Sequence, residues 1–179
     1  MLIGIVRLYL LSNQPKRDNF SAGFPNLVSR TLMPTPEVDP PVLRIAAAML
    51  VRADGRTLLV RKRHTTIFMQ PGGKIDSGET TQSALVRELK EELGISVDIQ
   101  SLVPLGQFSA PAANEAGVMV DAALFMVECD QTVQPAAEIE EAIWVEPDAP
   151  RDFPIAPLTD DYVLPLYRRC RGRSAHLRD

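Results

Sequence analysis

Apolar and polar residues alternate in blocks that divide the chain into elements from residue 42 onward. Residues 42–51 are almost continuously apolar, which is typical of a strand buried on both faces. Residues 53–55 form a turn signal and residues 56–63 resemble a second strand, so the two strands are predicted to form a hairpin. Residues 64–78 follow as a predicted loop with Pro71 near its centre.

A helix is predicted from Thr80 or Thr81 to Leu93. Either threonine can cap its start, and Gly94 suits the position just beyond its end. Strands mixed with helices indicate an α/β or α+β sandwich. The remaining predicted elements are one or two strands in residues 95–108, a loop in 105–115, strands in 118–127 and 142–145, and a helix in 158–171 that Pro165 can interrupt.

The first 41 residues differ in composition from the rest of the chain. They hold six of the 15 prolines, so they have little capacity to bury a core. Their apolar start is interrupted by Arg7 and is shorter than the roughly 20 residues of a membrane span. We expect an N-terminal extension at 1–41, one domain at 42–172 and a tail at 173–179, and one hypothesis places the true start at Met33.

Composition excludes several classes of function. The chain of 179 residues is 45% hydrophobic and carries 19 basic against 23 acidic residues, a net charge of −4. A net negative chain is a poor candidate for binding a nucleic-acid polymer, and no membrane association is expected. Cys129 and Cys170 form no C-x-x-C pair, which excludes a zinc ribbon and predicts two reduced thiols in a cytoplasmic protein. The oligomeric state is open, and a homodimer is one candidate.

Three glutamates share one face of the predicted helix. Glu88 is separated from Glu91 by three positions and from Glu92 by four, so their carboxylates lie within one sector. Such close carboxylates repel one another unless a hard divalent cation such as Mg²⁺ or Mn²⁺ binds between them. Arg87 can hold Glu91 by a charge-assisted bond, and Gly73 lets backbone approach a cation or phosphate. The alternative interpretation is a solvated glutamate-rich face.

The complete pattern from Gly73 to Ile95 resembles the box of the Nudix hydrolase family, G-x5-E-x7-R-E-U-x-E-E-x-G-U, in which U is a bulky aliphatic residue. The resemblance implies a Nudix-type α/β/α sandwich with a mixed β-sheet. It also implies a hydrolase that cleaves the diphosphate of a nucleoside diphosphate linked to another group. The residues that fill every fixed position are Gly73, Glu79, Arg87, Glu88, Leu89, Glu91, Glu92, Gly94 and Ile95.

The resemblance also implies roles for individual residues. Arg87 and Glu79 are expected to orient other groups of the box. The general base is expected to be Glu88 or Glu138, which lies six residues before Trp144, with Glu140 and Glu141 as weaker alternatives. The implied metal ligands are Gly73 through its carbonyl, Glu88, Glu91 and Glu92, and the implied cofactor is Mg²⁺ or Mn²⁺.

Residues around the box are candidates for contacting the substrate. Alternation places Arg61 and Arg63 on one face of their strand and Lys62 on the other. The basic residues are explained equally well as solvated charges at a strand end. Phe68 is also explained as a packed ring, and Gln70 as a side chain that bonds to backbone. The candidate substrate contacts are Arg61, Arg63, Phe68, Gln70 and Lys74.

The substrate itself stays open at this stage. A (d)NTP, including an oxidised one, and ADP-ribose are the two leading small-molecule candidates, and Pro111, sixteen residues beyond Ile95, only weakly favours ADP-ribose. A non-catalytic nucleotide sensor on the same fold is the alternative from another class, but such proteins usually lose box carboxylates. An isomerase would need a proton donor that neither cysteine is well placed to supply.

Overall fold

The computed structural model describes residues 39–176. The predicted extension therefore lies almost entirely outside the described residues, as does the hypothetical start at Met33. The last helix reaches His176, so helical backbone continues into the segment predicted as a tail. Within residues 39–176, no helix is both long and apolar enough to cross a bilayer. Cys129 and Cys170 are both buried.

Seven strands and two α-helices are found within residues 39–176. Short turns of 3₁₀-helix at Ile99–Ser101 and of π-helix at Thr159–Val163 precede β5 and α2. In chain order the elements are β1 (Val42–Val51), β2 (Thr57–Lys62), β3 (Phe68–Met69), β4 (Gly72–Lys74), α1 (Thr81–Leu93), β5 (Val103–Pro111), β6 (Met119–Glu128), β7 (Ile139–Val145) and α2 (Leu164–His176).

Strand β1 is the centre of a mixed sheet. It runs parallel to β6 along its whole length, and β6 pairs in turn with β5 in the antiparallel sense. On its other side, Ile45, Ala46 and Ala47 in the middle of β1 pair with β4. The predicted hairpin of β1 with β2 is therefore formed only at the turn, where Val51 faces Thr57, and β2 pairs over its length with β7 instead.

The side chains of β1 alternate between two apolar cores. Ala46, Ala48 and Leu50 pack in the core that contains α1, whereas Ala47, Met49 and Val51 pack in the core that contains α2. The expectation of a strand buried on both faces is confirmed for these six residues, which are at most 2% exposed. One helix on each face of the sheet gives the α/β/α sandwich that the resemblance of the box implied.

Helix α1 begins and ends as its sequence predicts. The side chain of Thr80 accepts a hydrogen bond from the Ser83 amide, and Gly94 adopts a left-handed conformation (φ 69°) that closes the last turn. Leu85, Leu89 and Leu93 are fully buried against the sheet. The opposite side of α1 is thereby fixed towards β4 and the cavity described below.

Four predicted segments differ from the structure. The loop at 64–78 contains β3 and β4, because long-range pairing with β2 and β1 recruits strands too short for a sequence pattern to show. The strand in 95–108 begins only at Val103, and the loop at 105–115 is strand as far as Pro111. The last helix is preceded by a π-helical turn, because Pro165 has no amide hydrogen and its ring would crowd a regular α-turn.

Candidate active site

Two glycines bring the backbone of β4 against neighbouring groups. Gly72 has φ +133°, and a Cβ atom there would lie 2.2 Å from the Ala46 carbonyl oxygen. A Cβ atom on Gly73 would lie 2.3 Å from the carboxyl carbon of Glu88. A side chain at residue 72 would clash with the neighbouring strand β1, and a side chain at residue 73 would clash with Glu88. The backbone of Gly73 therefore contacts the Glu88 carboxylate of α1 directly.

Arg87 connects the carboxylates around this backbone. Its Nε and Nη2 donate to the two carboxylate oxygens of Glu79 at 2.9 and 2.8 Å, and Nη2 also donates to the Lys74 carbonyl at 3.1 Å. Its Nη1 donates to Glu88 at 2.9 Å and to Glu91 at 3.3 Å. These bonds lower the pKa of Glu79 to about 2 and raise the pKa of Arg87.

Glu92 is the one box carboxylate that is enclosed. The residue is 1% exposed, and its Oε2 accepts a hydrogen bond from the Gly72 amide at 3.0 Å. Burial raises the pKa of this carboxyl to about 7, although the Gly72 amide favours the charged form. Within the described part of the chain, its Oε1 has no hydrogen-bond partner. The alternative interpretation of a solvated glutamate-rich face therefore fits Glu91, whose side chain is 56% exposed, but does not fit the buried Glu92.

The box residues suit a hard divalent cation. In this conformation no three acidic, histidine or cysteine side chains among residues 39–176 are gathered closely enough to hold a metal ion, since Arg87 holds Glu88 and Glu91. The buried, unpartnered oxygen of Glu92 is nevertheless an unsatisfied ligand. The glutamate oxygens and the glycine carbonyl are the donor types that Mg²⁺ and Mn²⁺ prefer.

An open cavity of about 520 Å³ lies beside these residues; we call it the acidic cavity. Five glutamates and two lysines line it, together with an apolar wall from β1, β3 and β6. The glutamates are Glu88, Glu91, Glu92, Glu115 and Glu138, and the lysines are Lys62 and Lys74. The apolar wall includes Leu43, Ile45, Met69 and Val120.

A β-bulge between β2 and β7 decides which downstream glutamate reaches the acidic cavity. Arg61 faces Glu141, but Lys62 faces Ile139, so one residue of β7 is skipped in the register. Such a bulge redirects neighbouring side chains. Glu141 and Glu140 consequently lie at 3.0 and 4.0 Å from Arg61, whereas Glu138 pairs with Lys62 at the cavity.

Three predicted substrate contacts are not brought to the acidic cavity. The described residues that line the cavity do not include Arg61, Arg63 or Phe68. Phe68 is 6% exposed, and its ring centroid lies 4.7 Å from that of Phe153. Arg61 is held by Glu141 and the Thr65 carbonyl. The prediction that Phe68 stacks on a base is not supported, because long-range packing uses that ring.

Two predicted contacts do line the acidic cavity. Lys74 is exposed at its edge, next to the glycine pair. Gln70 is 6% exposed, and its side-chain oxygen accepts a hydrogen bond from the hydroxyl of Thr159. The side-chain oxygen of Gln70 is thus already used in holding the start of the π-helical turn.

Two further parts of the lining are Lys62 and the segment 112–115. Lys62 lines the acidic cavity and Arg61 does not, which agrees with the alternation of these two residues, but the pattern could not show which face carries the cavity. The segment 112–115 joins the lining because β5 and β6 bring their shared turn beside β1.

Comparison with known proteins identifies the family. A family model described as the NUDIX domain matches residues 42–167. The chain belongs to the Nudix hydrolase family. This Nudix chain is 33% identical over 79 residues to an ADP-ribose pyrophosphatase of Methanocaldococcus jannaschii, a match that covers 42% of the chain and 46% of the relative.

A second relative and a solved structure extend the comparison. An 8-oxo-dGTP diphosphatase of Haemophilus influenzae is 36% identical over 78 residues, or 41% of the Nudix chain and 57% of the relative. The chain thus spans about half the length of these two relatives. The solution structure of the Escherichia coli ORF135 protein has a TM-score of 0.59 and 26% identity, covering 75% of this chain and 94% of that one. The predicted family and fold class are confirmed.

Proposed function

We propose that the chain hydrolyses the diphosphate of a nucleoside diphosphate linked to a second group, with Mg²⁺ or Mn²⁺ as cofactor. The observation that carries this proposal is the buried oxygen of Glu92, which has no partner among the described residues and belongs to a carboxylate lining the acidic cavity. A buried carboxylate oxygen without a partner is costly unless a ligand satisfies it.

Four residues would hold the ion: Gly73 through its carbonyl, and Glu88, Glu91 and Glu92 through their side chains. When bound, the ion would offset the charge of the diphosphate and lower the pKa of a water molecule. Arg87 would then keep Glu79 as its fixed partner, and Glu79 would hold the guanidinium in place through two hydrogen bonds.

Glu138 is the favoured general base. It lines the acidic cavity together with the box glutamates, whereas Glu140 and Glu141 lie beside Arg61. Glu88 is the weaker candidate, because its carboxylate is pressed against Gly73 and bonded to Arg87. In the proposed step a carboxylate oxygen of Glu138 takes the proton of the attacking water, and one P–O bond forms as the P–O bond to the leaving phosphate breaks.

The shape of the acidic cavity supports a nucleotide substrate. Its apolar wall, which includes Leu43, Ile45 and Val120, offers a surface for a base or sugar, and its lysines offer charge to phosphates. Two relatives bear the names of enzymes for ADP-ribose and for 8-oxo-dGTP. We propose a (d)NTP, including an oxidised one, or ADP-ribose as the substrate. We also propose a cytoplasmic location for the chain.

A substrate screen tests the proposal. Purified chain would be incubated with (d)NTPs, oxidised dNTPs, ADP-ribose, dinucleoside polyphosphates and sugar nucleotides, with Mg²⁺, with Mn²⁺ and with a chelator. We expect hydrolysis of at least one substrate that requires the metal. Tight nucleotide binding without turnover in any mixture would contradict the proposal and favour a nucleotide sensor.

A further inference from the structure

An ion pair inside the acidic cavity has no counterpart in the box pattern. The ammonium group of Lys62, at the end of β2, binds the carboxylate of Glu138, just before β7. The two side chains are 29% and 58% exposed, so the pair stands at the cavity wall and within reach of a ligand. An ion pair this exposed contributes only about 1 kcal/mol or less to stability.

The backbone around Glu138 is fixed independently of that pair. The Arg63 amide donates to the Glu138 carbonyl at 2.9 Å, and the Ala136 amide donates to the Glu92 carbonyl at the end of α1 at 2.8 Å. Ala137 between them has φ +48°, a conformation that costs energy for a residue with a side chain. The main chain around Glu138 is therefore held at the end of α1 and next to β2, and neither of these hydrogen bonds uses the side chain of Glu138.

Lys62 is placed to orient the side chain of Glu138, because the two side chains form an ion pair. It lines the acidic cavity together with Glu92 and Glu138, and its charge acts on Glu92 as well. An ammonium group has three N–H donors, so a bond to Glu138 leaves donors for a second anion. The bulge at Arg61 and Lys62 places this donor at the cavity and keeps Arg61 outside it.

We infer that Lys62 is a positioning residue that bridges Glu138 and the substrate diphosphate. The ammonium group holds the Glu138 carboxylate towards the phosphorus and donates its remaining hydrogens to a diphosphate oxygen. This inference rests on the proposed function. It assigns Lys62 two separable effects, one on kcat through Glu138 and one on substrate affinity through the phosphate.

A double-mutant cycle tests the bridge. Wild type, Lys62→Met, Glu138→Gln and the double variant would be assayed for kcat and KM with the best substrate of the screen and Mg²⁺. We expect Glu138→Gln to lower kcat about a hundredfold and Lys62→Met about tenfold or more. The double variant should have the kcat of Glu138→Gln, whereas KM should rise several-fold whenever Lys62 is absent.

Matched variants exclude a general effect of charge or stability. Lys62→Arg should restore most of the kcat, because a guanidinium can also bridge two anions. Lys90→Met removes the same charge from the outer side of α1, where the ammonium group bonds only Ser96 in the described residues, and should behave as wild type. Binding of a methylene-bridged nucleoside diphosphate, measured by calorimetry, should weaken in Lys62→Met and in the double variant, but not in Glu138→Gln or Lys90→Met.

Three outcomes would overturn the inference while the proposed function stands. In the first, the losses of kcat in the two single variants multiply in the double variant. In the second, Lys62→Met leaves KM unchanged. In the third, Lys62→Met and Lys90→Met have the same kcat and KM. A wild-type chain that hydrolyses no substrate of the screen would instead remove the proposed function, and the inference with it.

Discussion

The carboxyl carbon of Glu88 occupies the space next to Gly73 where any larger residue would place its side chain, 2.3 Å from an ideal Cβ atom. Real Cβ atoms do not approach another heavy atom so closely, so one of the two groups must move when Gly73 is replaced. The position therefore couples the backbone of β4 to a carboxylate of α1, and both are proposed to hold the metal ion.

Gly73→Ala should displace the Glu88 carboxylate. We expect a loss of about 1–3 kcal/mol in the free energy of unfolding, typical of overpacking, and a fall in metal-dependent turnover of more than about tenfold. Urea denaturation and a steady-state assay measure the two effects. Adding Glu88→Ala to Gly73→Ala should recover the stability but not the turnover. Failure of that rescue would show that the clash lies elsewhere.

Arg87→Met should destabilise the chain most when no metal is present. The variant removes the hydrogen bonds to Glu79 and leaves Glu88 and Glu91 without their cation. We expect a loss of about 1–3 kcal/mol with a chelator and a smaller loss in Mg²⁺, since the ion offsets the same repulsion. Arg171→Met breaks a distant pair with Glu146 and should lose equal stability in both buffers. Equal losses for Arg87→Met in both buffers would contradict the proposed metal site.

Glu91→Gln and Glu92→Gln should each remove metal-dependent turnover while the fold survives. Each replacement keeps the volume of the side chain and removes one negative charge that the ion requires, so we expect a fall of more than about a hundredfold in kcat/KM. Circular dichroism checks the fold. Glu140→Gln is the control, because that side chain lies outside the acidic cavity beside Arg61. Near-wild-type turnover in both box variants would refute the assignment.

The box could be predicted from the sequence because its information is local. The cap at Thr80, the left-handed Gly94 and the placement of three glutamates on one helix face all follow from spacing within 23 residues. Helical geometry converts such spacing into positions without knowledge of the rest of the chain. The separation of Glu92 as the enclosed carboxylate was not predictable, because it depends on how closely β4 approaches α1.

The rest of the site depends on pairing between distant segments. Lys62 and Glu138 meet because β2 pairs with β7 across a bulge, and no pattern in either strand shows that bulge. Phe68 was a reasonable candidate for stacking on a base, but Phe153, far along the chain, packs against it. Alternation separated Lys62 from Arg61 correctly, because of these two only Lys62 lines the cavity, but it could not show which face carries the cavity.

Tyr167→Phe should lower stability without changing turnover. The hydroxyl of Tyr167 donates to the Gly55 carbonyl at 2.9 Å and links α2 to the turn between β1 and β2. Burial raises the pKa of this hydroxyl to about 12. Its removal should cost about 1 kcal/mol in thermal or urea unfolding. Since the acidic cavity is lined by other residues, a change in kcat/KM beyond twofold would indicate coupling that the structure does not explain.

Glu92 should give the metal-free protein a distinctive dependence of stability on pH. Its pKa is about 7 in the folded chain, against an ordinary value of 4.5, because burial disfavours the charged form. The folded chain then binds the proton more tightly than the unfolded chain does. The contribution of Glu92 to stability is therefore complete below about pH 4.5 and is lost as the pH rises through 7.

The difference between wild type and Glu92→Gln isolates that contribution. With a chelator present, the stability of wild type relative to Glu92→Gln should fall between pH 5 and pH 8 by on the order of 3 kcal/mol. Urea denaturation at several pH values measures it. Glu91→Gln, which removes an exposed carboxylate from the same helix face, should leave this slope in place. A Glu92→Gln variant whose stability parallels that of wild type across the range would show that the buried carboxyl titrates normally.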